Sequence, residues 1–243
     1  MKIYILTIFF VLNAALSHAL EKPEPLTLIG LTIDDEAARY VIEHHTLVHK
    51  IKTVKYIGSI KTTDWVLDRP PLAATLARHL HPPLENYRIS AGSGGNYTVE
   101  DLISLKGTIR LVARGANARV YFIEGSFRSK TLKLKLSGNM VFTLEYKEHR
   151  EGSESYVEVE PHIYVRFNNV VVHGITKVFN PLLHRIIDRR AATLATAAQV
   201  VSERLTKDPH GLYEDMKKWS DIGSEDIEEY RIVFLAHEEI DTK

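Results

Sequence analysis

The chain has 243 residues and contains no cysteine, which excludes disulfides, thiol catalysis and cysteine ligands for zinc. Because small animal domains in oxidising compartments usually carry disulfides, this absence favours a bacterial periplasm for an exported chain. An excess of basic charge is also missing, since 31 Lys and Arg residues balance 31 Asp and Glu residues. The attraction that draws basic proteins to phosphates is therefore weak, and we expect no nucleic acid as a partner.

The first 19 residues differ in composition from the rest of the chain and are typical of a secretory signal peptide. Lys2 supplies a positive charge, residues 3–16 are almost wholly apolar, and Ser17 and Ala19 are small residues at the expected cleavage site. No later segment reaches the roughly 18 unbroken apolar residues of a membrane-spanning helix. We predict a periplasmic or secreted protein that is free of the membrane or only peripherally attached. An uncleaved N-terminal anchor is the alternative.

The overall composition is that of an ordinary globular protein, with 44% apolar and 26% charged residues. The length fits one domain with appendages. We predict a signal peptide over residues 1–19, a flexible mature N-terminus over 20–33, a folded domain over 34–207 and a helical C-terminal tail over 208–243.

In the first third of the chain, the hydrophobic pattern has a helical period. Aspartates at its start predict a first helix over residues 34–52. A short strand is predicted over residues 54–57. A second helix follows, with Thr63 or Asp64 as its cap, a break at Pro70-Pro71 and an end at His81-Pro82-Pro83.

The middle of the chain, from about residue 87 to 172, alternates between apolar and polar residues with a period of two. The alternation is clearest over residues 103–111, 132–145 and 157–167. It predicts an antiparallel meander of five or six strands with one buried face and one solvent-facing side.

A long helix is predicted over residues 174–205, because apolar residues recur there at i, i+3 and i+4 almost without a break. At 1.5 Å per residue this helix would be about 48 Å long. Pro181 predicts a kink near its first third. The segment from Asp208 to Gly211 ends it and leads into the tail.

The order of these elements resembles the START-like, or helix-grip (SRPBCC), superfamily over roughly residues 54–205. The alternating strands run directly into the segment Gly174–Leu183, as in that fold. The resemblance implies an α+β fold in which an antiparallel β-meander of five to six strands wraps around a long C-terminal helix, with N-terminal helices before it. Members bind lipids, sterols, polyketides or hormones, and some are cyclases or hydrolases. The resemblance therefore implies an apolar ligand more strongly than any reaction.

A pocket between the sheet and the long helix is the predicted binding site for an apolar small molecule or lipid. A carrier would spare such a ligand about 0.8 kcal/mol of exposure to water per methylene group. The predicted lining residues are Leu105, Ile109, Leu134, Leu136, Met140, Phe142, Ile163, Val165, Phe179, Leu183 and Ile186. Two alternatives remain open: a small cyclase- or dehydratase-type enzyme on the same fold, and a non-catalytic interaction module whose core is filled.

We predict no catalytic residues, metal site or cofactor. His45 and His49 have the helical i, i+4 spacing of zinc ligands, but no third ligand follows at a diagnostic spacing. The glycine-rich segment 91–96 lacks the Gly-Lys-Ser/Thr ending of a phosphate-binding loop, and it predicts a hairpin or a lid. Over residues 184–190, Asp188 is expected to pair with Arg185 on a solvated helix face. Transient docking of this basic segment to anionic lipid headgroups is the alternative.

Overall fold

The computed structural model of the chain describes residues 26–101, 104–129, 134–168 and 171–236. The predicted signal peptide, residues 1–19, lies outside the described residues. Among the helices of the described ranges, none has both the length and the apolar character needed to cross a bilayer.

The main sheet is antiparallel, and within the described residues it contains eight strands in the order β3-β10-β9-β8-β7-β6-β5, with β4 also paired to β10. Its strands are β3 (Leu47–Lys50), β4 (Val54–Ile57), β5 (Tyr87–Ala91), β6 (Tyr97–Asp101), β7 (Leu105–Arg114), β8 (Ala118–Ser129), β9 (Leu134–Glu151) and β10 (Glu154–Phe167). A separate hairpin consists of β1 (Leu26–Leu28) and β2 (Leu31–Ile33). Strands β5 to β10 are neighbours in sequence and in space, which confirms the predicted meander.

The helices lie before and after this meander. They are α1 (Glu36–Glu43), α2 (Ile60–Leu67), α3 (Pro70–Leu80), α4 (Val171–Lys207), α5 (Pro209–Met216) and α6 (Ser224–Tyr230), followed by a π-helical turn over Arg231–Leu235. Helix α4 has 37 residues, which corresponds to about 55 Å. The predicted α+β class, with a meander and a long C-terminal helix, is confirmed.

The first helix is shorter than predicted. Asp35 caps it by accepting a hydrogen bond from the backbone N–H of Ala38 at 2.8 Å, but the helix ends at Glu43. Residues Leu47–Lys50 form β3 instead of a continuation of the helix, and they pair with β10. The backbone hydrogen bonds offered by the edge of β10 outweigh the weak helical pattern of this segment.

The predicted break at Pro70-Pro71 is confirmed, because α2 ends at Leu67 and α3 begins at Pro70. The predicted cap of this helix was wrong. Ser59, and not Thr63 or Asp64, accepts the hydrogen bond from the backbone N–H of Thr62, at 3.1 Å.

Successive residues of a strand point to opposite faces of the sheet. We call the face that carries Val120, Phe122 and Val141 the outer face, and the face that carries Tyr121 and Leu144 the inner face.

The outer face is covered at one end, which corrects the expectation of a solvent-facing side. Ile33 of β2 and Ala38 and Val41 of α1 pack against Val120 and Val141 there, and all five are fully buried. The prediction of a flexible segment over residues 20–33 therefore fails from Leu26 onward, since β1 and β2 belong to this core. In β8, apolar side chains point to both faces of the sheet, so each face needs a covering element.

The C-terminal segment after residue 208 packs into the domain and is more than an appended tail. Leu212, Met216 and Tyr230 are fully buried in a cluster with Trp65 and Leu76 of helices α2 and α3. This cluster also includes Val201 and Leu205 of α4. The C-terminal segment thus fixes the end of the long helix against α2 and α3.

Candidate functional site

A cavity of about 260 Å³ lies between the inner face of the sheet, helices α2 and α3, and the C-terminal half of α4. Its lining side chains are apolar or carry a hydroxyl group: Tyr56, Thr62, Thr63, Val66, Leu67, Pro70, Ala73, Ala74, Ala77, Leu84, Tyr87, Ile89, Ile109, Tyr121, Phe142, Leu144, Leu194, Ala197, Ala198, Val201 and Ser202. No charged side chain of the described residues lines it.

The space exists because small side chains meet where two helices approach the sheet. Helix α3 contributes Ala73, Ala74 and Ala77 to the wall, and α4 contributes Ala197 and Ala198. A methyl group at each of these positions reaches too short a distance to fill the gap above the sheet, whereas a larger aliphatic side chain would occupy it.

The cavity opens to solvent beside the long helix. Leu194 lines the cavity and keeps 44% of its surface exposed, and Ala198, one turn further along, is also exposed. A ligand can therefore enter between α4 and α3 without separating the strands of the sheet.

Most hydroxyl groups of the wall already have protein partners. The Tyr56 hydroxyl lies 3.2 Å from the Thr63 hydroxyl, and Ser202 donates to the carbonyl oxygen of Ile57 at 2.6 Å. Tyr121 donates to the carbonyl oxygen of Leu67 at 3.3 Å. These bonds leave the wall polar at a few fixed points and apolar elsewhere, as in most small-molecule pockets.

The phenols of the cavity are neutral at physiological pH. Burial raises the pKa of Tyr121 and of Tyr56 above the ordinary value of a phenol. Burial, reinforced by the nearby Asp101 carboxylate, raises the pKa of Tyr87 to about 12. These groups can therefore hydrogen-bond a ligand, but they are poorly suited to exchange protons with it at neutral pH.

Of the eleven predicted lining residues, Ile109 and Phe142 line this cavity. Leu136 and Leu183 lie elsewhere, in a small cluster with Phe127 and Phe167. The other predicted residues whose side chains are described, and which do not line the cavity, are Leu105, Met140, Ile163, Val165 and Ile186. The side chains of Leu134 and Phe179 lie outside the described part.

The position of the cavity along α4 explains why most of the predicted residues do not line it. The predicted site used the N-terminal half of the long helix, where large apolar residues such as Leu183 fill the space against the sheet. The cavity lies instead against Ala197 and Ala198 in the other half. The signal that could have located it is the pair of alanine-rich segments, residues 73–77 and 191–198.

The basic segment of α4 contacts residues near both edges of the sheet. His49 of β3 lies 2.6 Å from the Asp188 carboxylate and 2.6 Å from the ring of His184. Asp188 thus pairs with His49 and not, as predicted, with Arg185. Near the other edge, Arg190 donates to Asp101 and Ser104. These contacts hold the long helix across the inner face.

The helical i, i+4 spacing expected of His45 and His49 is not realised, because the first helix ends at Glu43. His45 lies after α1, and its ring bonds the Ile42 carbonyl oxygen at 2.8 Å, whereas His49 lies in β3. The glycine-rich segment forms the predicted hairpin between β5 and β6. Gly94 and Gly95 have φ angles of 64° and 77°, a conformation that favours glycine.

A buried ionic network lies near the cavity but outside its wall. Arg119 is 1% exposed and donates to Asp64 at 2.6 Å and to the carbonyl oxygens of Gly115 and Ala118 at 2.7 and 2.9 Å. Tyr146 donates to the same Asp64 carboxylate. None of these residues lines the cavity.

A second hollow, of about 480 Å³, lies on the other side of α3 and is polar. Its wall includes Arg78 and Asp221, which form an ion pair at 2.6 Å. Because the wall of this hollow is charged, we regard the apolar cavity as the candidate site for an apolar ligand.

The topology and the long helix that crosses the inner face define a helix-grip fold with an apolar cavity, which confirms the predicted resemblance at the level of fold. No family model matches the sequence, and no curated protein matches it either. Solved structures that partly match this chain include norcoclaurine synthase from Thalictrum flavum in complex with dopamine and hydroxybenzaldehyde, at 16% identity over 75% of this chain and 98% of that chain, with a TM-score of 0.43. A conserved protein from Geobacillus kaustophilus is similar at 7% identity over 63% and 93% of the two chains, with a TM-score of 0.42. Ara h 8.0201 is similar at 14% identity over 63% and 96%, with a TM-score of 0.38.

Proposed function

We propose that this chain binds and carries an apolar, lipid-like ligand in the cavity between the sheet, α3 and α4. The observation that supports this function is an open cavity whose described wall is apolar apart from hydroxyl groups. An apolar ligand that enters it gains roughly 25 cal/mol for each Å² of apolar surface removed from water.

The volume limits the kind of ligand. At about 260 Å³, the cavity lies just below the roughly 300–1,000 Å³ of pockets for drug-sized ligands. The proposed ligand is therefore compact, such as a fused-ring molecule or a short acyl chain, and a longer chain would extend out of the mouth beside Leu194.

Export is part of the same proposal. The basic, apolar and small-residue pattern of residues 1–19 supports a periplasmic or secreted location. Fusion of these 19 residues to alkaline phosphatase, which is active only after export, tests it. Loss of phosphatase activity when charged residues interrupt the segment is expected, and an inactive intact fusion would contradict export.

Transient contact with a membrane surface would allow a carrier to load. Arg185 and Arg189 are exposed on α4, near the middle of the helix. We expect the double variant Arg185→Gln, Arg189→Gln to sediment less with anionic phosphatidylglycerol vesicles than the original chain does at low salt. Equal sedimentation of both proteins would remove these arginines from the proposal.

The binding function is tested by adding the neutral dye Nile red, whose fluorescence rises in apolar surroundings, to the purified protein. Ala197→Leu places a larger side chain in the cavity, and we expect it to reduce dye binding at least tenfold. Ala192→Leu is the matched control, since Ala192 lies on the same helix but is exposed. Organic extraction and mass spectrometry of the purified protein would identify a retained ligand. A protein that yields no ligand and binds no dye would contradict the proposal.

A further inference from the structure

We propose that the ligand is electrically neutral and carries a hydrogen-bonding group that is recognised by the hydroxyl of Tyr87. This inference rests on the proposed binding function, because it names the chemical class that the same cavity selects. Two observations support the inference. The first is which hydroxyl groups of the cavity wall already have a hydrogen-bond partner, and the second is that no charged side chain of the described residues lines the cavity.

Tyr87 differs from the other phenols of the cavity in its hydrogen bonding. Tyr56 is paired with Thr63, and Tyr121 donates to the Leu67 carbonyl oxygen. The hydroxyl of Tyr87 makes no hydrogen bond to any residue of the described ranges, although its side chain lines the cavity. The hydroxyl is not among the fully buried polar atoms, so it keeps accessible surface, and a ligand atom in the cavity can bond to it.

Position in the fold keeps Tyr87 in the wall. It begins β5 and pairs with Asp101 of β6, whose carboxylate is held by Arg190 of α4. The backbone carbonyl oxygen of Tyr87 also accepts a hydrogen bond from Arg78 at 3.3 Å. The hydroxyl is thus presented by a paired strand, and since a phenol both donates and accepts, it can bind an alcohol, a phenol or a ketone.

The charge of the ligand follows from the same wall. No Lys, Arg, Asp or Glu side chain of the described part lines the cavity. A carboxylate or ammonium group would lose its water shell there without gaining a counter-ion, which proteins tolerate poorly. Arg190, a nearby cation, already binds Asp101 and Ser104. A fatty acid in its anionic form is therefore disfavoured relative to a neutral alcohol or ketone of similar size.

Three probes of matched shape test this inference by isothermal titration at neutral pH: naphthalene, 1-naphthol and 1-naphthoate. We expect 1-naphthol to bind about tenfold more tightly than naphthalene, as one additional hydrogen bond allows. We expect 1-naphthoate to bind at least tenfold more weakly than 1-naphthol.

The variant Tyr87→Phe should lower the affinity for 1-naphthol to that for naphthalene and leave the affinity for naphthalene within twofold. Tyr121→Phe is the matched control, because its hydroxyl is already bonded to the protein. We expect it to change the affinities for naphthalene and 1-naphthol by the same factor.

The outcomes separate the two proposals. If naphthalene binds but Tyr87→Phe keeps the preference for 1-naphthol, or if 1-naphthoate binds as tightly as 1-naphthol, the role of Tyr87 or the neutrality of the ligand is overturned. If none of the three probes binds, the proposed binding function itself fails, and this inference fails with it.

Discussion

The two faces of the sheet carry similar apolar side chains but are covered by different partners. On the outer face, Ile33 and Val41 of β2 and α1 meet Val120 and Val141, and all four are fully buried. On the inner face, aromatic and aliphatic side chains such as Tyr121 meet alanines of α3 and α4, and a cavity remains. The contrast teaches that the size of the covering side chains decides whether a face becomes a core or a pocket.

The largest effect is expected at the ionic network beside the cavity. Arg119→Met removes the buried cation that donates to Asp64 and to two backbone carbonyl oxygens, and we expect a loss of about 3 kcal/mol in the free energy of unfolding. Arg114→Met is the control, since Arg114 pairs with Asp68 at an exposed position, where ion pairs contribute about 0.5 kcal/mol. Urea denaturation of both variants measures the difference, and equal losses would show that burial of Arg119 adds nothing.

A comparable effect is expected on the outer face, but without any change in binding. Ile33→Ala removes a fully buried side chain, and such a truncation costs about 3 kcal/mol. We expect its affinity for naphthalene to stay within twofold of the original value at a temperature where the variant is folded. A parallel loss of affinity would show that the two faces are not independent.

Filling the cavity from its α3 wall should abolish ligand binding with little change in stability, the opposite of what we expect for Ile33→Ala. Ala74→Leu introduces a larger side chain into existing space, so we expect the free energy of unfolding to change by no more than about 1 kcal/mol. The rise in melting temperature that naphthalene causes should disappear. Ala37→Leu on α1, at an exposed alanine, should keep that rise, and its loss in this control would point to a general effect of leucine.

The smallest effect is a pH-dependent one on the outer face. Hydrogen bonds from Arg110 lower the pKa of Asp35, so the carboxylate stabilises the fold at pH values above its unfolded-state pKa of about 4. This contribution is lost as the pH falls through the lower folded-state pKa. Asp35→Asn keeps a capping side chain and should reduce the free energy of unfolding by about 1 kcal/mol near pH 7. The difference from the original chain should shrink at acidic pH, and a constant difference would contradict the role of the charge.

The sheet could be predicted from the sequence because its period of two is sustained over long strands. Strands β9 (Leu134–Glu151) and β10 (Glu154–Phe167) contain the described parts of the strands predicted over 132–145 and 157–167, and α3 begins at Pro70, where the pattern places a break. The four residues Leu47–Lys50 carry too little pattern to predict an edge strand, although they form β3. Its structure depends on the distant strand β10.

The cavity was harder to predict, because alternation marks which side chains are buried and not how completely they fill space. Of the predicted lining residues, Ile109 and Phe142 line this cavity, and the alternation of their strands directs both to the inner face. Helix α3 was not recognised as part of the wall, since alanine at positions 73, 74 and 77 gives a weak hydrophobic signal. The cover of the outer face was also missed, although Val120 to Ile123 is apolar in both phases, which is typical of a strand buried on two sides.

A crystal structure under xenon pressure would show whether the space between the inner face, α3 and α4 is open, since xenon enters open apolar cavities in proteins. We expect xenon density between Ala74, Ala197 and the Tyr121 ring on the inner face, and none between Ile33 and Val141 on the outer face. Side chains of α3 and α4 that interlock with the inner face, with no xenon between them, would contradict it.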